Sequence, residues 1–184
     1  MAALRNQYLE YIEKRHWEAD FLLVVDLDVQ YINLAGVFSS FNNRQDWDVV
    51  TAYGYSTSPK LRRRYHDTYA LTELGKEDVP QTEKEIKALA HKYGDILKKN
   101  DWVRVFSAFG GLAIYRFDKI KGLRYQVFPN NDSRVEVHCE HYSLYRQMAE
   151  RGNIKVFINP QMKIEYQRLS FSIIYNSLRR RLGI

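Results

Sequence analysis

The sequence contains a single cysteine, Cys139, in 184 residues. One cysteine cannot form an intramolecular disulfide framework or a multi-cysteine zinc site, so nothing requires an oxidising compartment and a reducing cytoplasm is expected. No run approaches the roughly twenty apolar residues that span a bilayer, and the N-terminus lacks the apolar segment of a signal peptide. Internal repeats, low-complexity segments and linkers are also absent from the sequence. We therefore expect residues 1–184 to form one soluble domain.

Acidic residues are fewer than basic ones: 22 Asp and Glu stand against 28 Lys and Arg, which gives a net charge of +6. This charge permits contact with phosphates, nucleic acid or an anionic membrane surface, but it does not select among them. Basic residues cluster at positions 60–64 and 179–181. The first cluster is either a solvated face or an anion-binding surface, and the Arg-rich C-terminus is a candidate for contact with a partner or with an anionic surface.

The most informative stretch is residues 21–28. Five consecutive apolar residues, Phe21 to Val25, are too few for a helix and predict a strand buried on both faces of a sheet. Asp26 and Asp28 follow at i and i+2, which puts both side chains on one side of an extended backbone at the strand end. Carboxylate oxygens are the ligands that Mg²⁺ and Mn²⁺ prefer. The pattern indicates a metal site; the alternative is that one Asp caps the next element and the other is solvated.

The remaining periodicity predicts an α/β fold. Helices are predicted over residues 2–17, 31–41, 80–99 and 142–151, the third with Thr82 and Glu85 in capping-box spacing. Strands are predicted over residues 47–53, 103–106, 112–115, 135–139 and 154–158, the last ending at Asn159-Pro160. Gly110 and Gly111 lie between two strands, where they form either a ligand-binding loop or an ordinary turn. We expect a mainly parallel central sheet with helices on both faces and the metal site at the strand ends.

A buried strand followed by Asp-x-Asp occurs in two enzyme classes: nucleotide-sugar transferases, whose acids hold a metal on the diphosphate, and haloacid dehalogenase-type phosphatases, whose first Asp is the nucleophile. The phosphatase motif continues with Thr or Val where this chain has Gln30, and the only Gly-Asp pair, Gly94-Asp95, falls in a helical pattern. The sequence therefore favours the transferase. A third reading is a non-catalytic basic domain that binds glycan or nucleic acid, although such a domain has no need of the acid pair.

Six segments, taken in order and spacing, resemble GT-A glycosyltransferases, and most closely the viral and capsule-associated group that includes chlorovirus capsid glycosyltransferase domains. They are residues 21–28, 47–48, 65–71, 109–115, 139–141 and 158–160. The resemblance implies a GT-A-like three-layer sandwich that forms a single catalytic domain. Because only about twenty residues precede the Asp-x-Asp strand, we expect the N-terminal part of the nucleotide-binding half to be missing. For a viral protein the resemblance implies the host cytoplasm.

The activity implied by the resemblance is metal-dependent transfer of a sugar from a nucleotide-diphosphate donor to a glycan or other hydroxyl acceptor, with inversion, as in polysaccharide biosynthesis. Asp26 and Asp28 match the metal motif for Mn²⁺ or Mg²⁺, with Asp28 as direct ligand and Asp26 reaching the donor ribose or the metal. His141 would complete the metal site or contact the diphosphate.

The resemblance also implies roles around the donor and acceptor. Gly110 and Gly111 match the glycine-rich loop that lines the sugar and the acceptor, and Tyr65 falls in a matching segment. Glu140, at the head of a predicted helix, would act as the general base on the acceptor hydroxyl, with Asp67 as the rival base. The alternative for Glu140 is an ordinary acid at a helix N-terminus, and for His141 a polar helix residue.

Overall fold

The computed structural model describes residues 1–43, 47–57, 62–79, 81–127, 138–167 and 171–182. The helices are α1 (Ala2–Lys14), α2 (Leu34–Ser39), α3 (Glu83–Ile96), α4 (Phe117–Ile120), α5 (Glu140–Arg151) and α6 (Phe171–Leu182). The strands are β1 (Phe21–Val25), β2 (Tyr31–Ile32), β3 (Val49–Thr57), β4 (Arg63–Tyr65), β5 (Val103–Val105), β6 (Leu112–Arg116) and β7 (Val156–Gln167). Within these residues, none of the helices is long and apolar enough to cross a membrane.

The described strands form one seven-stranded sheet in the order β1-β6-β3-β7-β2, with β4 on β3 and β5 on β7. Five of its six strand pairings are antiparallel, and the pairing of β3 with β7 is the parallel one. The predicted mainly parallel sheet is therefore wrong. Buried strands read as apolar runs in either direction, so the sequence pattern did not reveal that β6 runs backwards between β1 and β3.

Three strands nevertheless point the same way. Strands β1 and β3 are both antiparallel to β6, and β7 is parallel to β3. Their carboxyl ends therefore lie at one edge of the sheet, where the amino end of β6 also begins. This arrangement brings the segment after β1 beside the glycines that precede β6.

Helices lie on both faces of the sheet, as the α/β prediction requires. On one face, Val49 and Tyr53 of β3 belong to a core that also contains residues of α1, α3 and α5. On the other face, Val50 and Ala52 pack in a second core with Trp47 and with a residue of α2. Alternate residues of β3 thus point to opposite cores, which is the period of a strand.

Strand β1 is not buried on both faces as predicted. It ends the described sheet order, and although Val24 is 7% exposed, Leu23 is 45% exposed and Leu27, beyond the strand, is 98% exposed. These residues line a groove of about 660 Å³ between β1 and α1. An apolar run alone does not separate an edge strand from a central one.

Strand β7 continues beyond the stop predicted at Asn159-Pro160. Its register against β3 jumps from the pair Ala52 and Asn159 to the pair Tyr53 and Lys163, so residues 160–162 form a bulge. A proline is tolerated there because a bulged residue needs no ladder hydrogen bond. The strand can therefore resume and carry Tyr166 to the site described below.

Two predicted helices have different outcomes. The capping box of α3 is confirmed: Thr82 Oγ1 accepts from the Glu85 N–H at 3.3 Å, and the Thr82 N–H donates to Glu85 Oε2 at 2.7 Å. The helix predicted over residues 31–41 is instead β2 followed by α2, because Asn33 starts the helix by accepting the Gly36 N–H at 3.3 Å.

Some predictions fall wholly or partly outside the described residues. One is the strand predicted over residues 135–139, of which only 138 and 139 are described, without strand structure. The others are the two basic clusters: residues 60 and 61 and the side chains at 180 and 181 are not described.

Candidate functional site

Asp26 lies where β1 meets the start of β6. The strand ends at Val25, and the Asp26 N–H then donates to the Gly111 carbonyl at 2.9 Å, which continues the β1–β6 ladder by one residue. Asp28 follows in a turn and is exposed. The two acids therefore lie beyond the strand, so strand alternation does not set their relative orientation. Asp26 is fixed at the sheet edge, and Asp28 is open to solvent.

Arg5 of α1 joins two of the predicted site acids. Its Nη2 lies 3.1 Å from Asp26 Oδ1, and its Nε lies 3.0 Å from Glu140 Oε1. The three side chains are 12%, 26% and 17% exposed, respectively. The guanidinium also lies 4.9 Å from the centre of the Phe109 ring. A largely buried cation therefore bridges the metal-motif acid Asp26 and the predicted base Glu140.

Sequence reasoning missed Arg5, although a signal was present. Arg5 shares helical spacing with Tyr8, Leu9 and Ile12, the apolar positions by which α1 packs on the core. A charged residue on a buried helix face needs a partner of opposite charge. The position of Arg5 therefore required an acidic partner, and the acids that follow β1 were candidates.

Asp67 approaches the same edge from the segment after β4. Its Oδ2 accepts the Gly110 N–H at 3.2 Å. Gly110 has φ +64°, and a Cβ there would lie 2.2 Å from the Ala52 carbonyl oxygen of β3. The glycine loop thus runs tightly against β3 and aims one backbone amide at a carboxylate.

Tyr166 closes the edge from β7. Its hydroxyl donates to Asp26 Oδ2 at 3.5 Å, and its ring stacks on His66 with centroids 3.9 Å apart. A Cβ on Gly111 would lie 2.6 Å from that hydroxyl, so the glycine leaves room for the tyrosine. Tyr166 was not predicted, since β7 was expected to end before it. Asp26 consequently has a partner on each carboxylate oxygen.

The three gathered carboxyls have different electrostatic environments. Burial raises the pKa of Asp67 to about 6, and the negative charge of Asp26 adds to that effect against the Gly110 amide. Burial also raises the pKa of Asp26 despite the opposing Arg5 cation. For Glu140, burial acts upwards, but its own backbone amide and Arg5 outweigh it and the pKa is lowered. Glu140 is therefore the more strongly stabilised anion, and Asp67 is poised to gain a proton.

His141 lies in the core. It is 1% exposed, its ring stacks on Phe109 with centroids 3.9 Å apart, and neither ring nitrogen has a hydrogen-bond partner in the described part of the chain. Burial holds the pKa of His141 well below its usual range. Tyr65 is also 1% exposed and packs near Tyr93. The structure therefore separates these two predicted residues from the open surface of the site.

The predicted metal ligands do not form a three-residue cluster in the described part of the chain. Among the described residues, no group of three or more His, Cys, Asp or Glu side chains is close enough to hold a metal ion. The set Asp26, Asp28 and His141 is thus not assembled. Asp28 remains exposed, and Asp26 Oδ2 has only the long contact with Tyr166. Two carboxylates fit a cation whose other ligands come from phosphate and water.

No protein family model matches the sequence, and no curated protein matches it. The residues gathered at the sheet edge are therefore the basis for assigning a function.

Proposed function

We propose that this chain is a glycosyltransferase with a GT-A-like fold, which transfers a sugar from a nucleotide-diphosphate donor to a hydroxyl group of a glycan or another acceptor, with inversion. One observation carries the proposal: the Asp-x-Asp segment after β1 lies at the sheet edge together with the Gly110-Gly111 loop, Asp67 and Glu140. Open α/β sheets bind ligands at such an edge.

The site residues suit the parts of this reaction. A Mn²⁺ or Mg²⁺ ion held by Asp28 and Asp26 would neutralise charge on the departing diphosphate. The stacked rings of His66 and Tyr166, next to Asp26, offer an aromatic surface of the kind that sugars contact. A carboxylate near the glycine loop can take the proton of an acceptor hydroxyl.

The phosphatase alternative gains no support from this geometry. Its distal acid pair should follow a strand, but the only Gly-Asp pair of the sequence, Gly94-Asp95, lies within helix α3. A non-catalytic domain that binds glycan or nucleic acid would not need carboxylates grouped in this way.

Calorimetric titration with a panel of UDP- and GDP-sugars, with and without Mn²⁺, tests the proposal. We expect donor binding that depends on Mn²⁺ and is lost in Asp28→Ala. Asp20→Ala is the matched control, because Asp20 is an exposed acid at the opposite end of β1. Failure of the wild-type chain to bind any donor would refute the proposal. Salt-sensitive oligonucleotide binding that survives Asp28→Ala would favour the binding domain instead.

A further inference from the structure

We propose that Asp67, and not Glu140, accepts the proton of the acceptor hydroxyl, while Glu140 serves with Asp26 to hold Arg5 in the site. This inference rests on the proposed function. The sequence resemblance implies Glu140 as the base and Asp67 as its rival, whereas the contacts of Arg5 favour the opposite assignment.

Arg5 separates the acids into two kinds. Asp26 and Glu140 each direct an oxygen at its guanidinium, at 3.1 and 3.0 Å. The cation favours the charged form of both acids; for Glu140 this helps to outweigh burial and its pKa is lowered, whereas burial still raises the pKa of Asp26. Glu140 also begins α5, where the helix dipole and its own backbone amide favour the charged form. Glu140 is therefore fixed in position and kept negatively charged.

Asp67 has no ion pair within the described part of the chain. Its Oδ2 accepts the Gly110 amide at 3.2 Å, a neutral donor, so the carboxyl is oriented without being neutralised. The same amide belongs to the loop that, in the proposed function, lines the sugar and the acceptor. Asp67 therefore combines a fixed position beside the loop with the capacity to take a proton.

The charged and titratable groups that face Asp67 come from every neighbouring element. They are Arg5 of α1, Asp26 after β1, Tyr65 of β4, Cys139 and Tyr145 at α5, and Tyr166 of β7. Four of these are neutral near pH 7, because burial raises the pKa of each tyrosine and of the cysteine thiol. The remaining two oppose each other, since Asp26 raises the pKa of Asp67 and Arg5 lowers it. The backbone amides of Gly110 and Ala70 also lower this pKa, but burial outweighs them and the value is about 6.

The proposed step moves one proton and one glycosyl group. The acceptor O–H bond breaks, and its proton passes to a carboxylate oxygen of Asp67. The acceptor oxygen forms a bond to the anomeric carbon, while the bond from that carbon to the donor phosphate oxygen breaks. Its electron pair leaves with the nucleoside diphosphate. Asp67 then returns its proton to solvent.

The experiment compares Asp67→Asn with Glu140→Gln, two nearly isosteric changes that can keep the hydrogen bonds to Gly110 and Arg5. Donor affinity is measured by calorimetry, and release of nucleoside diphosphate from the bound donor is followed against pH with water as the acceptor. We expect Asp67→Asn to bind donor normally but to lose turnover by about 100-fold or more. Glu140→Gln should lower turnover by less than Asp67→Asn does and should keep the wild-type dependence of the rate on pH, whereas Asp67→Asn should lose it. Loss of turnover in Glu140→Gln, with Asp67→Asn active, would overturn the inference.

A second measurement does not depend on turnover. Carboxyl ¹³C resonances of the two side chains are titrated by NMR in the purified wild-type chain. Titration of Asp67 near pH 6, with Glu140 below its ordinary value of about 4.3, supports the assignment; the reverse order overturns it. If no donor binds or turns over, the proposed function fails, and the NMR titration still decides how charge is divided between the acids.

Discussion

Replacing Arg5 by Met is expected to destabilise the protein mainly by leaving Asp26 and Glu140 without their shared cation. Methionine keeps an unbranched apolar side chain, so the change removes chiefly two charge-assisted hydrogen bonds and the guanidinium contact with the Phe109 ring. Such bonds contribute roughly 1.5–3 kcal/mol each in buried settings. Because the acids are 26% and 17% exposed, solvent recovers part of this loss, and we expect a net cost of about 3 kcal/mol near pH 7.5.

The cost should depend on pH in a defined direction. In the wild type the pKa of Glu140 is lowered, so its pairing stabilises the fold above the ordinary pKa of a glutamate and is lost as the pH falls through the lowered value. In Arg5→Met we expect both carboxyls to have higher pKa values than in the wild type, because the cation that lowers them is gone, and protonation can then relieve the penalty. The destabilisation should therefore shrink between pH 7.5 and pH 5.

Urea unfolding at the two pH values measures this effect. With an m-value of about 2 kcal/mol per molar, a loss of 3 kcal/mol lowers the midpoint by about 1.5 M. Arg124→Met is the matched control, because Arg124 pairs with Glu13 at a site where the two side chains are 33% and 35% exposed. We expect that variant to lose about 1 kcal/mol or less. An Arg5→Met cost no larger than the control, or one equal at both pH values, would refute the reasoning.

Two further predictions concern stability. Gly75 has φ +79° and open space around it, so Gly75→Ala should cost about 1–2 kcal/mol of stability. Gly110→Ala should cost about 3–5 kcal/mol, because its Cβ would also meet the Ala52 carbonyl. An equal decrease in Tm for the two variants would contradict this close approach. Thr82→Ala should lower the free energy of unfolding by about 1 kcal/mol through loss of the capping box with Glu85, and Thr82→Ser should restore most of it.

Local patterns predicted several elements well. Helix α3 carries its own start signal in Thr82 and Glu85 and an apolar stripe that includes Leu89 and Tyr93, so its existence follows from the chain alone. Strand β1 likewise follows from five apolar residues in a row. These features depend on neighbours within a few residues, where sequence spacing and spatial contact coincide.

Patterns did not predict how strands were ordered or where β7 ended. The register jump that lets β7 pass Pro160 depends on pairing with β3, more than a hundred residues earlier in the chain. Because β7 continues, Tyr166 reaches Asp26, a contact that the expected stop at Asn159 would have excluded.

The sequence by itself determined that acids follow an apolar strand, that a glycine pair separates two strands, and that another acid begins a helix. Tertiary structure alone decided that Arg5, from the first helix, would lie between Asp26 and Glu140, leaving Asp67 with a backbone amide. The physical reason is that residue types fix which groups can ionise, whereas their protonation and roles depend on burial and on charges brought near from distant parts of the chain.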